Sequence, residues 1–223
     1  MTPRMLVFDV NETLLDLAAL DPLFADLFGD AGVRREWFAL LLRWSMVTSL
    51  TGAFRDFTAL GAASLATLAA SHGRTLSADD YRAVSTAIRE LPPHPDVAPG
   101  LARLADAGLR LTALTNSAQA TVDEQLRRAG LDRYFEHILS VDAVQRFKPH
   151  PAVYAHAVET LAAAPADLCM VAAHDWDITG AMRAGFAGAY ISRQETVCHR
   201  AGETPDLVAR DLDHLAEQLL GIN

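Results

Sequence analysis

The sequence predicts an α/β protein: a doubly wound (Rossmann-like) parallel sheet core carrying an inserted all-helical segment. Three observations predict it. A short apolar run near the start, "MLVFDV", ends at a polar turn; residues 17 to 90 repeat apolar positions only at helical spacing; and beyond a proline-rich break, strand-like and helical segments alternate. Apolar residues make up 51% and charged residues 21%, the composition of a chain with a packed core.

An apolar run without alternation, such as "MLVFDV", fits a central parallel strand buried on both faces. The stretches "EWFALLLRWSMVTSL", "DFTALGAASLATLAASHG" and "SADDYRAVSTAIREL" follow, each with apolar residues at intervals of three and four. The second ends at Gly73, and Ser77 reads as the N-cap of the third. No strand is expected before the segment "LPPHPDVAPG", whose four prolines in ten residues return the chain to the first domain. Then come "LRLTALTNS" as strand and turn, "ATVDEQLRRAG" as helix, "HILSVD" as strand and "HPAVYAHAVETLAA" as helix. "LCMVAAHD" reads as strand, "DITGAMRAGF" as helix and "AGAYIS" as the last strand. Such alternation implies right-handed crossovers and a parallel sheet, with ligands at the carboxyl ends of the strands. The expected division is a core of residues 1–16 and 92–223 with an insert of residues 17–91.

Charge and composition narrow the partners. A net charge of −9 without a cationic cluster argues against nucleic acid. No run approaches the ~18 apolar residues of a membrane span, and no cationic leader is evident, so a soluble, cytoplasmic protein is expected. Cys169 and Cys198 read as two reduced thiols. Of 19 basic residues, Lys148 is the sole lysine. A chain that otherwise uses arginine has kept a compact ammonium at one place.

Four loops fall at the expected carboxyl edge of the sheet. They carry Asp9; Thr115, Asn116 and Ser117; Lys148; and His174 to Asp177. Each alone is ordinary turn chemistry, but their joint order and spacing resemble the haloacid dehalogenase superfamily over essentially the whole chain. The resemblance implies Asp9 as nucleophile with Thr13 closing its loop, Thr115 as the hydroxyl of the second motif, Lys148 as the lysine of the third and Asp177 as the acid of the last. It also implies that the helical insert is a cap domain.

Most members that this pattern resembles are phosphatases. They use an aspartate two residues after the nucleophile as general acid and another early in the fourth motif to hold Mg2+. Here those positions are Asn11, which has no proton to deliver, and Ala173, which has no ligand atom. Displacement of halide from carbon needs neither. Tyr154, six residues after Lys148, and Trp176, beside Asp177, resemble the branch acting on 2-haloacids, L-2-haloacid dehalogenase of type II.

The resemblance implies an ester on Asp9, hydrolysed by water activated by Asp177, with no metal and no cofactor. Thr115 and Asn116 would face the substrate carboxylate, with Val10, Asn11, Leu42, Phe57, Ser117, Tyr154, His174 and Trp176 as substrate contacts. Ser117 reads equally as an N-cap, and Phe57 and Trp176 equally as core aromatics. His174, where the branch has asparagine, binds substrate or halide, or satisfies its own loop. Phe38 stands where the branch has its halide-receiving arginine, and Glu12 where it has glycine. The partners expected are a small-molecule 2-haloacid and a second copy of the chain in a homodimer; the alternative reaction is a Mg2+-dependent phosphatase.

Overall fold

The computed structural model describes residues 4–193 and 197–221. Strand β1 (Met5–Phe8) is buried at every position and pairs in parallel with β2 (Arg110–Thr115) on one side and β4 (Leu168–Ala172) on the other. With β3 (His137–Ser140), β5 (Ala187–Ile191) and β6 (Leu207–Ala209), the six strands lie in the order β3-β2-β1-β4-β5-β6, every pairing parallel. The winding reverses at β1, which opens a crevice at the carboxyl ends of β1, β2 and β4.

Four α-helices follow β1: α1 (Asp21–Phe28), α2 (Val33–Thr51), α3 (Phe57–Ser71) and α4 (Ala78–Arg89). The chain leaves and re-enters this excursion at one point. The Asp16 N–H donates to the Pro92 carbonyl at 2.8 Å, the His94 N–H donates to the Leu14 carbonyl at 3.0 Å, and Leu15 bridges to Pro93. Ser77 is the N-cap of α4: its hydroxyl accepts from the Asp80 N–H while the Asp80 carboxylate accepts from the Ser77 N–H, so two orphan donors are satisfied reciprocally. Within the excursion the indole of Trp37 donates to the carbonyl of Gly61 at 2.9 Å and its ring lies 5.5 Å from that of Phe24.

The return segment and the C-terminal end differ from the sequence expectation. Part of the proline-rich break is the first turn of α5 (Val97–Asp106), where Pro99 is tolerated because a first-turn N–H has no helical partner to lose. "AGAYIS" is not the last strand: β6 and then α9 (Leu212–Leu220) follow, with the Asp211 carboxylate accepting from the His214 N–H at 2.7 Å as cap. Strand β6 is only 3 residues long, below the length at which periodicity is readable. Gly100 is where α5 meets α9; a Cβ there would lie 2.6 Å from that of Leu212. The helices α6 (Gln119–Arg128), α7 (Pro151–Leu161) and α8 (Asp175–Arg183) occupy the crossovers. Cys169 and Cys198 are free thiols.

Candidate active site

The carboxyl ends of β1, β2 and β4 and the loop after β3 bring Asp9, Lys148 and Asp177 into one buried cluster. Lys148 is fully buried, and its ammonium donates to Asp9 Oδ1 at 2.7 Å, to Asp177 Oδ2 at 2.6 Å and to the Leu114 carbonyl at 2.8 Å. An ammonium has three N–H groups, and all three are used. A planar guanidinium cannot converge three donors from one nitrogen, which accounts for a lysine at this position in an arginine-rich chain.

The other Asp9 oxygen, Oδ2, accepts from the Thr13 hydroxyl at 2.7 Å. The oxygen of that hydroxyl in turn accepts from the Ala173 N–H at 2.9 Å, which commits its proton to Asp9. Burial acts to raise the Asp9 pKa, but Lys148 outweighs it, helped by His174 and Thr13, and the net direction is downward. Asp177 moves the other way: burial raises it, Lys148 opposes, and the Asp9 charge adds to the rise. Burial acts to lower Lys148, yet Asp177 and Asp9 outweigh it and hold the ammonium charged. Two carboxylates sharing one cation are thus driven apart, one toward the ionised form and one toward a stronger base.

The structure treats the remaining sequence candidates unequally. A largely apolar cavity of about 80 Å³ lies against this edge, lined by Asn11, Trp37, Phe38, Leu41, Phe57 and Ser117 among others. It is Leu41, not Leu42, that lines it, because one residue turns a helix by about 100° and carries Leu42 off that face. Tyr154 is fully buried and does not line this cavity; its hydroxyl donates to Asp177 Oδ1 at 2.8 Å, so it buttresses that carboxylate. Val10 is fully buried, with its carbonyl accepting from Leu14 and Leu15.

At the second loop, Thr115 Oγ1 accepts from the Ser117 N–H at 3.1 Å and Asn116 Oδ1 accepts from the Lys148 N–H at 2.9 Å. Both acceptors hold the loop rather than face the cavity. Ala118, not Ser117, is the N-cap of α6. His174 Nε2 meets the Asn11 carbonyl at 3.3 Å and lies 3.7 Å from Asp9 Oδ2 and 3.7 Å from Glu12 Oε2. Its ring stacks on Trp176 at 4.9 Å and approaches Phe38 at 6.1 Å.

Residues 3–185 match the family described as haloacid dehalogenase-like hydrolase. The chain belongs to this family. Over 217 residues the hydrolase is 29% identical to (S)-2-haloacid dehalogenase H-109 of Pseudomonas putida, covering 96% of this chain and 97% of the relative. Over 222 residues it is 30% identical to (S)-2-haloacid dehalogenase 4A of Burkholderia cepacia, covering 97% and 91%. The solved structure of L-2-haloacid dehalogenase from Xanthobacter autotrophicus with chloropropionic acid covalently bound aligns with a TM-score of 0.91 at 27% identity, covering 99% of this chain and 100% of that one.

The donor set of the hydrolase does not fit Mg2+. Magnesium demands near-octahedral oxygen coordination, whereas position 173 is alanine, and Asp9 and Asp177 each direct an oxygen at the Lys148 ammonium. Among the described residues no group of three or more His, Cys, Asp or Glu is arranged to hold a metal ion.

Several supports of the hydrolase site were invisible in sequence. Glu12 has a φ of +63°, strained for a residue with a Cβ. It is held there by its N–H to the Leu15 carbonyl, by His94 Nε2 at 3.1 Å from its carbonyl, and by Arg34 at 3.3 Å from its carboxylate. Burial and Arg193 lower the His94 pKa, favouring the neutral ring that donates from Nε2. Arg193 donates to the Thr13 carbonyl at 2.9 Å and to Asp96 at 2.7 Å. An unusual glutamate inside the nucleophile loop was the one available signal.

Proposed function

We propose that this hydrolase converts short-chain (S)-2-haloalkanoic acids to (R)-2-hydroxyalkanoic acids through an ester on Asp9, with no metal or other cofactor. The observation that carries the reading is the Lys148 ammonium shared by Asp9 and Asp177 beside Asn11, a residue with no proton to give a leaving group. An ionised Asp9 oxygen attacks C2; the C–O bond forms as the carbon–halogen bond breaks, halide departs with its electron pair, and the carbon inverts. Water then attacks the carbonyl carbon of the ester and gives a proton to Asp177. Cleavage of the acyl–oxygen bond expels the product alkoxide, which takes the proton held by Asp177, and the second proton of the water, left on the Asp9 carboxyl, is lost to solvent to return the carboxylate.

Lys148 keeps Asp9 ionised and orders both carboxylates. Thr115 and Asn116 shape the loop that carries Ser117, and Phe57, Phe38 and Leu41 surround the alkyl group. Leu42, half-buried on α2, packs against the core, while Trp176 stacks on His174. Each oxygen of Asp177 has a second lone pair beyond those facing Tyr154 and Lys148, so water has an acceptor. The phosphatase alternative needs an acid and a metal ligand where Asn11 and Ala173 stand.

Residues 17–91 serve as a cap domain over a core of residues 1–16 and 92–223, a division supported by the pinned exit and return at residues 16 and 92. Cytoplasmic residence and a homodimer belong to the same reading, with neither nucleic acid nor membrane as partner. Among the described residues no helix is long and apolar enough to cross a membrane. The test is a halide-release screen over chloro-, bromo- and fluoro-acids of both hands, with and without EDTA. Release restricted to (S)-acids and indifferent to chelator is expected; phosphate release from esters that EDTA abolishes would overturn the reading.

A further inference from the structure

We propose that Gln125 is a positioning residue that locks the Asn11 carboxamide with its NH2 group toward the cavity, making Asn11 Nδ2 and the Ser117 hydroxyl a neutral donor pair for an anion bound there. The identity of that anion, departing halide or substrate carboxylate, rests on the dehalogenase reading.

Gln125 is fully buried on α6. Its Nε2 donates to the Ile88 carbonyl at 2.8 Å, and a carbonyl only accepts, so the orientation of the amide is decided. The same nitrogen reaches Asn11 Oδ1 at 3.4 Å with its second N–H. Asn11 is thereby turned so that Nδ2 donates to Ser117 Oγ at 3.0 Å. Reversing Asn11 would set one NH2 group against another. In the observed arrangement Asn11 keeps a second N–H, and the Ser117 hydroxyl, already accepting, keeps its proton to donate; both residues line the cavity.

Two further observations favour this use. Gln125 Oε1 is buried without a partner among the described residues. An orphan acceptor makes an amide a poorer core residue than methionine or leucine, so its nitrogen, not its packing, accounts for it. Charged and imidazole donors near the site are engaged elsewhere. His174 Nε2 faces the Asn11 carbonyl and two carboxylates. Arg89, a cation lining the cavity, lies 3.6 Å from Glu124, and Arg43 is exposed.

The test uses the whole protein labelled with 15N, following the Asn11 side-chain NH2 signals, assigned by their loss in Asn11→Asp. Sodium bromide and sodium propionate are titrated separately. The wild-type Asn11 signals are expected to move with one of the two anions, and which one identifies the ligand. No movement with either overturns the proposal without any variant being made. Gln125→Met and Gln125→Glu, which remove the donor by different routes, should weaken binding of that anion about tenfold, the size of one hydrogen bond to a charged group. Because Gln125 acts through Asn11, the double variant Asn11→Ala/Gln125→Met should bind no worse than Asn11→Ala alone, both read from the Ser117 backbone amide signal. Additive losses, or binding within twofold of wild type in both Gln125 variants, would also overturn it. Halide release from 2-chloropropionate by the wild type is scored separately: its absence sinks the dehalogenase reading and leaves the Asn11 signals to be judged alone.

Discussion

Replacing Lys148 by methionine tests the centre of the site, because it removes the cation while keeping an unbranched side chain of similar length. Each carboxylate lies 2.6–2.7 Å from the ammonium. At an effective dielectric of ~20 that is an attraction of roughly 6 kcal/mol per pair, much of it cancelled by the several kcal/mol that desolvating each ion costs. Removing the cation leaves the desolvation of two carboxylates and adds their mutual repulsion. The expected loss of stability at pH 7 is therefore about 3–5 kcal/mol.

The pH dependence carries the sharper test. In the variant, burial and mutual repulsion push the carboxylates upward, so the folded state binds protons that the unfolded state has released. Stability then falls as pH rises from the ordinary carboxylate range through the raised folded value, and the deficit against wild type shrinks on going from roughly pH 7 to pH 5. Urea unfolding at both pH values, with wild type alongside, measures it. A loss below about 1 kcal/mol at pH 7, or an equal loss at both pH values, would refute the claim that one buried ammonium neutralises this pair.

Asp9→Asn should abolish halide release while leaving the thermal midpoint near that of wild type, since Lys148 retains Asp177; undiminished release would remove the nucleophile assignment. Tyr154→Phe takes a hydroxyl from Asp177 Oδ1 and should slow ester hydrolysis by an amount equivalent to about 1.5–3 kcal/mol, with ester formation nearly unchanged in a single-turnover quench. Gly180→Ala would put a Cβ 2.5 Å from the Tyr154 hydroxyl and 2.6 Å from Pro149 Cβ, so it should destabilise by about 1–3 kcal/mol and share the kinetic defect of Tyr154→Phe. In wild type, with Asp9 lowered and Asp177 raised, ester formation should persist on acidification to a pH where ester hydrolysis has already failed; both steps failing together in rapid-quench profiles would contradict that ordering.

What was readable from sequence follows from what each signal is made of. Strand β1 and its neighbours were legible because burial on both faces leaves an unbroken apolar run, and the loops at their ends carried residues unusual enough to align. Strand β6, with 3 residues, and α5, opening inside a proline-rich stretch, left no such period. Leu41 and Leu42 differ by one helical step, which an apolar pattern as dense as "FALLLRW" does not resolve. Gln125 was harder still. In "VDEQLRR" it reads as one more polar residue on a charged helix, and its partner Asn11 is 114 positions away. Glu12 at positive φ was visible only as a departure; the Arg34 and His94 contacts that hold it come from distant segments.

Charge conservation explains why a site of this composition suits the proposed chemistry. Before attack the reacting groups carry two negative charges, one on Asp9 and one on the substrate carboxylate. After attack they again carry two, one on the carboxylate and one on the halide. No proton enters, and the charge only moves from Asp9 Oδ across C2 to the leaving atom, so the site must receive a weakly basic anion rather than neutralise a strongly basic one. Expulsion of an alkoxide is different, because its basicity demands a proton from an adjacent acid. A carboxylic acid at position 11 would serve that demand, but in halide displacement the ionised form of that acid would repel the anion leaving C2. An amide with its NH2 turned inward removes the repulsion and supplies a donor. Asn11 is therefore better understood as a gain of function for one leaving group than as a loss for another.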